Sequence, residues 1–484
     1  MSEERRLADW LSSIVSNGRW YLLSSVTTKA LALLTLTILT HSLPPAEFGA
    51  LNALVALTQA LPIVLSLYLD SALARLYHEY RHDRRQLAAL YSTVFWFVLA
   101  WGGASLVAFS LLATRLAVDM ASVPLAYLWI ATVPSLLLQL AQLGMVFLRQ
   151  SFESRTVTKI EVWGALIGAA ATYLLVTIWG EGVLGRLWAI ALSSAYVFAY
   201  VLWHFARARL LVFRFDRRKL KECLVYSLPL LPNLVAGWIA GTSDRLIIAR
   251  YVDLEAVGVY SLAATIASLL YVVQDAVTQV TGVKTQVGMA TDRKRTLHML
   301  GELSIVMWVI MLFVNYCAVA YSVQVVQLFT GKGYLGAAGL IGACGFIYVL
   351  SPQNRLLQDL IGFNKKTWII SSGALIMAVC SLALNFYLVP RFGYIAAPYV
   401  FIAATLVQTA WLYGWVYRFE RLTLHWGKAA GAFTVFLGFV FVDQMAGGGV
   451  AAKILATAIY AVVTYGLLAP SMKKLRGDAL HHQR

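Results

Sequence analysis

The chain has 484 residues, of which 60% are hydrophobic and 13% charged, and its mean hydropathy is +0.72. A soluble domain cannot bury so much apolar surface, so the composition excludes one and indicates a polytopic membrane protein. The net charge of +16 at pH 7 would suit a nucleic-acid partner, but the distribution of the basic residues explains it differently.

The first apolar segment, roughly residues 20–41, is long enough to cross a membrane and has no small-residue cleavage pattern. We therefore interpret it as a retained first helix rather than a signal peptide. Similar segments of about 20 residues follow, and the sequence predicts an all-α membrane protein with about 14 transmembrane helices (12–14). The predicted spans, numbered 1 to 14, start near residues 20, 46, 89, 122, 160, 183, 224, 256, 299, 334, 367, 393, 425 and 449.

The connections between these spans alternate between basic and almost uncharged segments. One side, which includes both termini, carries 31 of the 39 Lys and Arg residues. By the positive-inside rule, we expect that side and both termini to lie in the cytoplasm. The predicted localisation is the cell inner membrane. The basic excess is thus explained by topology, and no nucleic-acid partner is expected.

The longest and most basic connection, RARLLVFRFDRRKLKE, lies between spans 6 and 7. We interpret it as a linker between two halves. Docking on anionic lipid headgroups or on a cytoplasmic partner is the alternative.

The two halves of the chain are related by a shift of 209 residues. The shift brings LTHSLPPAEFGALNAL (39–54) onto IARYVDLEAVGVYSLA (248–263), with Gly49 on Gly258. It also brings Gly164 onto Gly373, within two copies of GALI. Two matches at one offset indicate a duplication, and because spans 1 and 7 both run outward, the repeats are predicted to be parallel.

The duplication predicts two lobes of six helices and an appended helix pair. We expect an N-lobe in residues 1–206, a basic cytoplasmic linker in 207–223 and a C-lobe in 224–417. Spans 13 and 14 and a basic cytoplasmic tail would occupy residues 418–484.

No pattern of catalytic residues is found in the sequence. It contains no Gly-rich phosphate loop and no metal-spaced His and Cys set, so an ATP-hydrolysing or metal-dependent enzyme is not indicated. A membrane glycosyltransferase or polymerase would need a large polar outer loop, and the predicted outer loops are short. The four cysteines lie in or beside apolar segments, so neither disulfides nor a metal site is expected: Cys223, Cys317, Cys344 and Cys380.

Ionisable residues inside the spans are the main candidates for function. Each costs about 2.5–3.5 kcal/mol near mid-membrane and should face protein or water. Lys29 lies near the middle of span 1, and Asp244 and Arg245 are adjacent in span 7. Adjacent helical residues point about 100° apart, so we do not expect this pair to neutralise each other on one face. Arg245 could also reach the outer interface, whereas Asp244 needs a partner or a wet cavity.

Weaker candidates are polar residues of other spans. Asp70 at the end of span 2 and Asp275 near the inner end of span 8 lie on corresponding helices, and Gln279 continues a polar stripe from Asp275. Gln139 and Gln142 form a similar stripe in span 4. Asp70 also fits a residue that marks the cytoplasmic interface. The acidic residues that begin spans on that side are interpreted as interface residues: Glu161 and Glu302.

Three segments carry a family resemblance. They are SLPPAEFGALNAL in the first hairpin, LPLLPNLVAGWIAGTSDRLIIARYVDLEAVGVYSLA (228–263), and NFYLVPRFGYIAAPYV (385–400). The second joins a polar–Asp–Arg step to a V-G-x-Y turn. Together they resemble polysaccharide-transport (Wzx-type) flippases of the multidrug/oligosaccharidyl-lipid/polysaccharide (MOP) superfamily. Pro44 departs from the Gly that is usual in the first turn of that family.

The resemblance implies that the chain moves an undecaprenyl-pyrophosphate-linked oligosaccharide across the cytoplasmic membrane by alternating access. It implies no cofactor, although coupling to H⁺ or Na⁺ is open. The expected partners are the lipid-linked glycan, membrane lipids and polysaccharide polymerase or export proteins. The expected cavity residues are Lys29, Arg245, Gln139 and Gln142, and the expected coupling or structural residues are Asp244, Asp275, Gln279 and Asp70.

Two related functions stay open. A multidrug antiporter of the same superfamily would share the fold, but it usually has twelve helices and an acidic or apolar cavity. A lipid II flippase also has fourteen helices, but the hairpin segments match the polysaccharide branch better.

Overall fold

The computed structural model describes residues 3–119, 125–331, 333–420, 422, 424–446 and 449–480. Within these ranges it describes the side chains except those of 3–18, 110, 112–119, 125, 276–277, 279–284, 286–287, 446 and 475–480. All regular structure in the described residues is helical.

The first compact unit contains Met1–Trp238 and Phe329–Gly331. Its helices are α1 (Glu3–Ser42), α2 (Pro45–Thr58), α3 (Leu61–Ser66), α4 (Leu69–Tyr80), α5 (Arg84–Asp119), α6 (Leu125–Gln150), α7 (Ser154–Thr172, continued by a π-helical segment, Tyr173–Ile178), α8 (Gly182–Arg207) and α9 (Arg217–Ser227). A 3₁₀ turn, Leu228–Leu230, leads into α10 (Leu231–Tyr251), inside which the first unit ends.

The second compact unit contains Ile239–Leu328 and Lys332–Arg484. Its helices are the rest of α10, then α11 (Leu254–Ala267), α12 (Leu270–Thr291), α13 (Arg293–Ala320), α14 (Ser322–Phe329), α15 (Ala338–Phe363), α16 (Thr367–Phe392), α17 (Ala396–Glu420), α18 (Trp426–Ala446) and α19 (Val450–Leu480). The predicted lobe boundaries stay predictions.

The predicted all-α, multi-spanning architecture is confirmed. Among the described residues, 13 helical stretches are long and apolar enough to cross a membrane. One of them, Thr367–Glu420, has 54 residues and contains both α16 and α17. The two helices separate at Gly393, whose φ of 70° is unfavourable for other residues, and they pack against each other. Counting them separately gives a span for each of the 14 predicted starts.

The helix bounds repeat between the two units. Helix α2 (Pro45–Thr58) and helix α11 (Leu254–Ala267) begin and end 209 residues apart, as predicted from Gly49 and Gly258. The start of α5 at Arg84 and that of α13 at Arg293 keep the same shift. The duplication predicted from sequence is therefore reflected in the positions of the helix ends.

From the fourth span of each half the shift grows to 213 residues. It relates α6 (Leu125–Gln150) to α15 (Ala338–Phe363) at both ends. Gly164 then corresponds to a position four residues beyond Gly373, which is about one helical turn. The second unit has four more residues than the first before this span, in a connection where added length costs little.

Span 2 is interrupted near its C-terminal end. Leu67 and Tyr68 have φ values of 50° and 59°, a left-handed conformation that ends α3 and starts α4 in a new direction. Asp70 was predicted to end span 2, but it lies in the first turn of α4 instead. The break moves Asp70 to a helix N-terminus, where the backbone dipole favours a carboxylate.

The basic segment that links α8 to α9, together with the first turn of α9, is packed onto the first unit. The hydroxyl of Ser92 donates to the carbonyl oxygen of Leu210 at 2.9 Å and accepts from the backbone N–H of Val212 at 2.8 Å. The ammonium group of Lys219, a residue only 5% exposed, lies 3.6 Å from the centre of the Tyr80 ring. The segment is thus bonded to α4 and α5 rather than crossing solvent alone.

Each unit has its own aromatic core. In the first unit the fully buried Tyr91 packs edge-on against Phe205, with 5.7 Å between ring centroids. In the second unit Tyr316 packs against Phe439 of α18 and Tyr460 of α19, at 6.0 and 4.7 Å. The last two helices are therefore part of the core of the second unit.

Candidate functional site

The Asp–Arg pair of α10 lies inside the span Arg217–Tyr251, with Arg245 six residues before the end of the helix. Asp244 is 5% exposed, and one of its carboxylate oxygens accepts a hydrogen bond from the hydroxyl of Tyr260 on α11. Its other oxygen lies 3.7 Å from Nη1 of Arg245 and accepts the backbone N–H of that residue at 2.8 Å.

The prediction that Asp244 and Arg245 would not neutralise each other is wrong. The 100° separation applies to the directions of the Cα–Cβ bonds. The Arg245 side chain is long enough to bend back toward the Asp244 carboxylate despite this separation. The carboxylate is also drawn toward Arg245 by the backbone N–H. A buried aspartate and its neighbour thus share one electrostatic site.

Arg245 is also held by α11. Its Nε donates to the hydroxyl of Ser261 at 3.3 Å, and its guanidinium carbon lies 5.8 Å from the centre of the Tyr260 ring. Consecutive residues of α10 therefore contact consecutive residues of α11. Sequence reasoning missed Tyr260 and Ser261 as partners, although Tyr260 is the last residue of the V-G-x-Y motif in the segment with the Asp–Arg step.

Lys29 lies in α1, ten residues from one end of the span Arg19–Ser42 and thirteen from the other. The rise of a helix places it about 15–20 Å from both ends, and its side chain is half-buried. It belongs to the first unit, whereas Arg245 belongs to the second. Its role in a cavity stays a prediction.

The weaker candidates differ in exposure. Gln139 is buried and Gln142 is exposed, so the predicted stripe on α6 does not form one surface. Asp70 is half-buried, and burial raises the pKa of its carboxyl group above the ordinary value. Asp275 on α12 accepts a long hydrogen bond of 3.5 Å from Tyr271. The side chain of Gln279 lies outside the described residues.

A polar pocket in the second unit was not predicted. It has a volume of about 250 Å³ and is lined by side chains of α12, α15, α16 and α17, among them Gln274, Asn354, Arg355 and Gln408. Arg355 is one of the 31 basic residues that the sequence assigned to the connections on the cytoplasmic side, but α15 continues to Phe363 and keeps Arg355 inside the span. The polar run PQNRLLQD within an otherwise apolar segment was the signal available in the sequence.

Arg355 has an acidic neighbour on its own helix. Its Nε lies 3.2 Å from Oδ1 of Asp359, one turn further along, and 62% of the Arg355 side chain is exposed. The adjacent Asn354 accepts a hydrogen bond of 2.9 Å from the Thr409 hydroxyl on α17. The pocket thus combines a guanidinium with neutral amides, which suits a polar or anionic ligand. In the described part of the chain no group of three or more His, Cys, Asp or Glu residues could hold a metal ion.

Residues 14–281, more than half of the chain, match the family model described as polysaccharide biosynthesis protein. The chain belongs to this family. The succinoglycan biosynthesis transport protein ExoT of Rhizobium meliloti (strain 1021) is 28% identical over 262 residues. The match covers 53% of this chain and 50% of ExoT, so the chain matches about half the length of this curated relative.

Solved structures with the same fold are membrane transporters. The lipid II flippase MurJ in an inward closed conformation has a TM-score of 0.74 at 15% identity, over 93% of this chain and all of that one. An inward-facing multidrug resistance MATE family transporter of the MOP superfamily has a TM-score of 0.68 at 16% identity, covering 83% of this chain and 99% of its own. At these identities the likeness shows the fold alone. The family and fold implied by the resemblance are confirmed, and the protein is a multi-pass membrane protein.

Proposed function

We propose that this protein moves a lipid-linked oligosaccharide or polysaccharide precursor, carried on undecaprenyl pyrophosphate, from the cytoplasmic to the outer leaflet of the cell inner membrane. Transport proceeds by alternating access between the two lobes, with both termini in the cytoplasm. Family membership supports the substrate class, and the fold supports a transporter. Polymerase or export proteins would receive the translocated glycan.

The observation that carries the proposal is the position of Arg245. Placing a guanidinium inside an apolar span costs free energy unless polar partners or a bound ligand compensate its charge. Ser261 accepts a hydrogen bond from Nε, Nη1 contacts Asp244 and the carbonyl oxygen of Gly241, and in the described structure Nη2 has no hydrogen-bond partner. That edge of the planar group is suited to an oxygen of a pyrophosphate.

Lys29 provides a second cation, in the first unit. An ammonium group binds phosphate as a compact point charge and needs no fixed plane. Its depth in span 1 prevents it from reaching an interface with its own side chain. The proposal assigns substrate attraction to Lys29 and oriented binding to Arg245, with Gln139 and Gln142 as neutral contacts to sugar hydroxyls. Asp244, Asp275, Gln279 and Asp70 would be structural or ion-coupling residues.

The experiment is deletion of the gene and analysis of the lipid-linked glycans that accumulate on the cytoplasmic face. We expect a glycan other than lipid II to accumulate and the wild-type gene to restore export. The double variant Asp244→Asn, Arg245→Gln, which leaves no buried charge unpaired, should fail to restore it at normal membrane abundance, whereas Arg250→Ala, five residues further along α10, should restore it. Accumulation of lipid II would favour a lipid II flippase, and unchanged glycans with increased drug sensitivity would favour a multidrug antiporter.

A further inference from the structure

The second unit contains an apolar cavity that plays no part in the proposed transport site. It has a volume of about 450 Å³, within the range of about 300–1,000 Å³ that is typical of small-molecule pockets. Helices α13, α15, α17 and the start of α18 form its walls, with Ile305, Leu356 and Leu357 among the lining residues. Two further lining residues, Leu406 and Trp426, are 48% and 60% exposed, so the cavity opens at the protein surface.

The wall is more apolar than its residue types suggest. Ser304 and Gln353 both line the cavity, but the Ser304 hydroxyl donates to Oε1 of Gln353 at 2.6 Å. The Gln353 amide in turn donates to the carbonyl oxygen of Ser304 at 3.0 Å. Because these polar groups satisfy each other, the cavity presents mainly hydrocarbon, which suits an acyl chain.

A cluster of cations surrounds one buried carboxylate beside this cavity. Glu302 is 1% exposed, and its oxygens lie 2.8 Å from the Lys474 ammonium and 3.3 Å from that of Lys428. The Ser471 hydroxyl donates to it at 2.6 Å. Two lysines face one carboxylate, so the cluster keeps a net positive charge. The lysine side chains are 52% and 42% exposed, which leaves their ammonium groups accessible to an anion.

His425 connects the cavity to the cation cluster. It lines the cavity, and its Nε2 lies 3.6 Å from Oε1 of Glu302. Its other ring nitrogen, Nδ1, is buried without a hydrogen-bond partner in the described residues. Trp426, the next residue, has the exposed position at the cavity mouth that is typical of an interfacial tryptophan.

We propose that this cavity and the Glu302 cluster bind an anionic phospholipid. One acyl chain occupies the apolar cavity, and the phosphate binds Lys428 and Lys474, which Glu302 holds at the cavity mouth. The charge complementarity follows from the net positive cluster, and basic sites between helices on the cytoplasmic side are suited to anionic headgroups. A polyprenyl phosphate shares this chemistry, so the test separates the two lipids.

The test uses the purified full-length protein in detergent and measures thermal unfolding during lipid titration. Phosphatidylglycerol should raise the melting temperature at concentrations at least about tenfold lower than phosphatidylcholine with the same chains. Inorganic phosphate alone should give no shift, because it lacks the acyl chain. Equal effects of the two phospholipids, or an equal effect of inorganic phosphate, would overturn the proposal. Tighter binding of undecaprenyl phosphate in competition would also overturn it, since the site would then belong to the substrate lipid.

Two variants locate the binding site. Ala410→Phe places a ring into the cavity and should weaken phosphatidylglycerol binding at least about tenfold, while Ala430→Phe, on an exposed residue outside the cavity, should not. The triple variant Glu302→Gln, Lys428→Gln, Lys474→Gln removes the charges together, so no buried carboxylate is left unpaired, and should bind both phospholipids equally. Unchanged selectivity in the triple variant, or unchanged affinity in Ala410→Phe, would contradict the proposal.

Discussion

Arg84 and Arg293 hold the same position in the two units, and each guanidinium reaches the end of the sixth span of its own half. Nη2 of Arg84 donates to the carbonyl oxygen of Ala208, just after α8, at 2.8 Å. Nε and Nη2 of Arg293 donate to the carboxylate of Glu420, the last residue of α17, at 2.8 and 2.6 Å. The contact is therefore present in both units, but its acceptor differs. It is a backbone carbonyl oxygen in the first unit and a carboxylate in the second.

Removing the two arginines should have unequal effects. Arg293→Ala leaves the fully buried Glu420 side chain without its cation and should cost about 3 kcal/mol, the low end for a buried pair because half of Arg293 is exposed. Arg84→Ala removes a hydrogen bond to a carbonyl and should cost about 1 kcal/mol. Thermal unfolding of the purified variants measures the difference. The double variant Arg293→Gln, Glu420→Gln should recover part of the loss, and equal losses for the two single variants would contradict the assignment.

Tyr260→Phe should destabilise the second unit because it removes the hydroxyl that donates to the buried Asp244. A hydrogen bond to a charged group contributes about 1.5–3 kcal/mol, and the loss should fall in that range. In a double-mutant cycle with Asp244→Asn, the two losses should not add, because the residues share one contact. Tyr251→Phe, at the exposed end of α10, is the matched control and should have little effect.

Arg245→Lys should reduce export although it keeps the charge. The planar guanidinium can contact Ser261 and Asp244 and still present N–H groups to a pyrophosphate. The compact ammonium group of a lysine cannot make all of these contacts at once. Surface glycan and membrane abundance, measured together, should show reduced glycan at normal abundance for Arg245→Lys and for Lys29→Ala. Normal glycan in both variants would remove these residues from the transport path.

The orientation can be tested by cysteine labelling in a cysteine-free background. Single cysteines at Thr114 and Gly447 should react with an impermeant thiol reagent in intact cells, because the low content of basic residues around these positions predicts that they lie outside. A cysteine at Asp83, between two basic segments, should be protected. Labelling at Asp83 alone would reverse the topology.

The helix number and the internal repeat were predictable because both depend on local hydropathy and on segment spacing. The pairing of Asp244 with Tyr260 was not, since it requires two helices to pack in one register. Arg355 was missed for another reason. A basic residue near the end of an apolar segment normally marks a loop, but here Asp359 one turn later and the amides of the polar pocket allow the helix to continue around it.

The packed connection between α8 and α9 restricts where the chain can bend. Because Ser92 holds Leu210 and Val212, and the Tyr80 ring lies against the ammonium group of Lys219, the chain from Leu210 to Lys219 is held to the helices of the first unit. The most basic part of the chain is thus a fixed part of the first unit rather than a free tether.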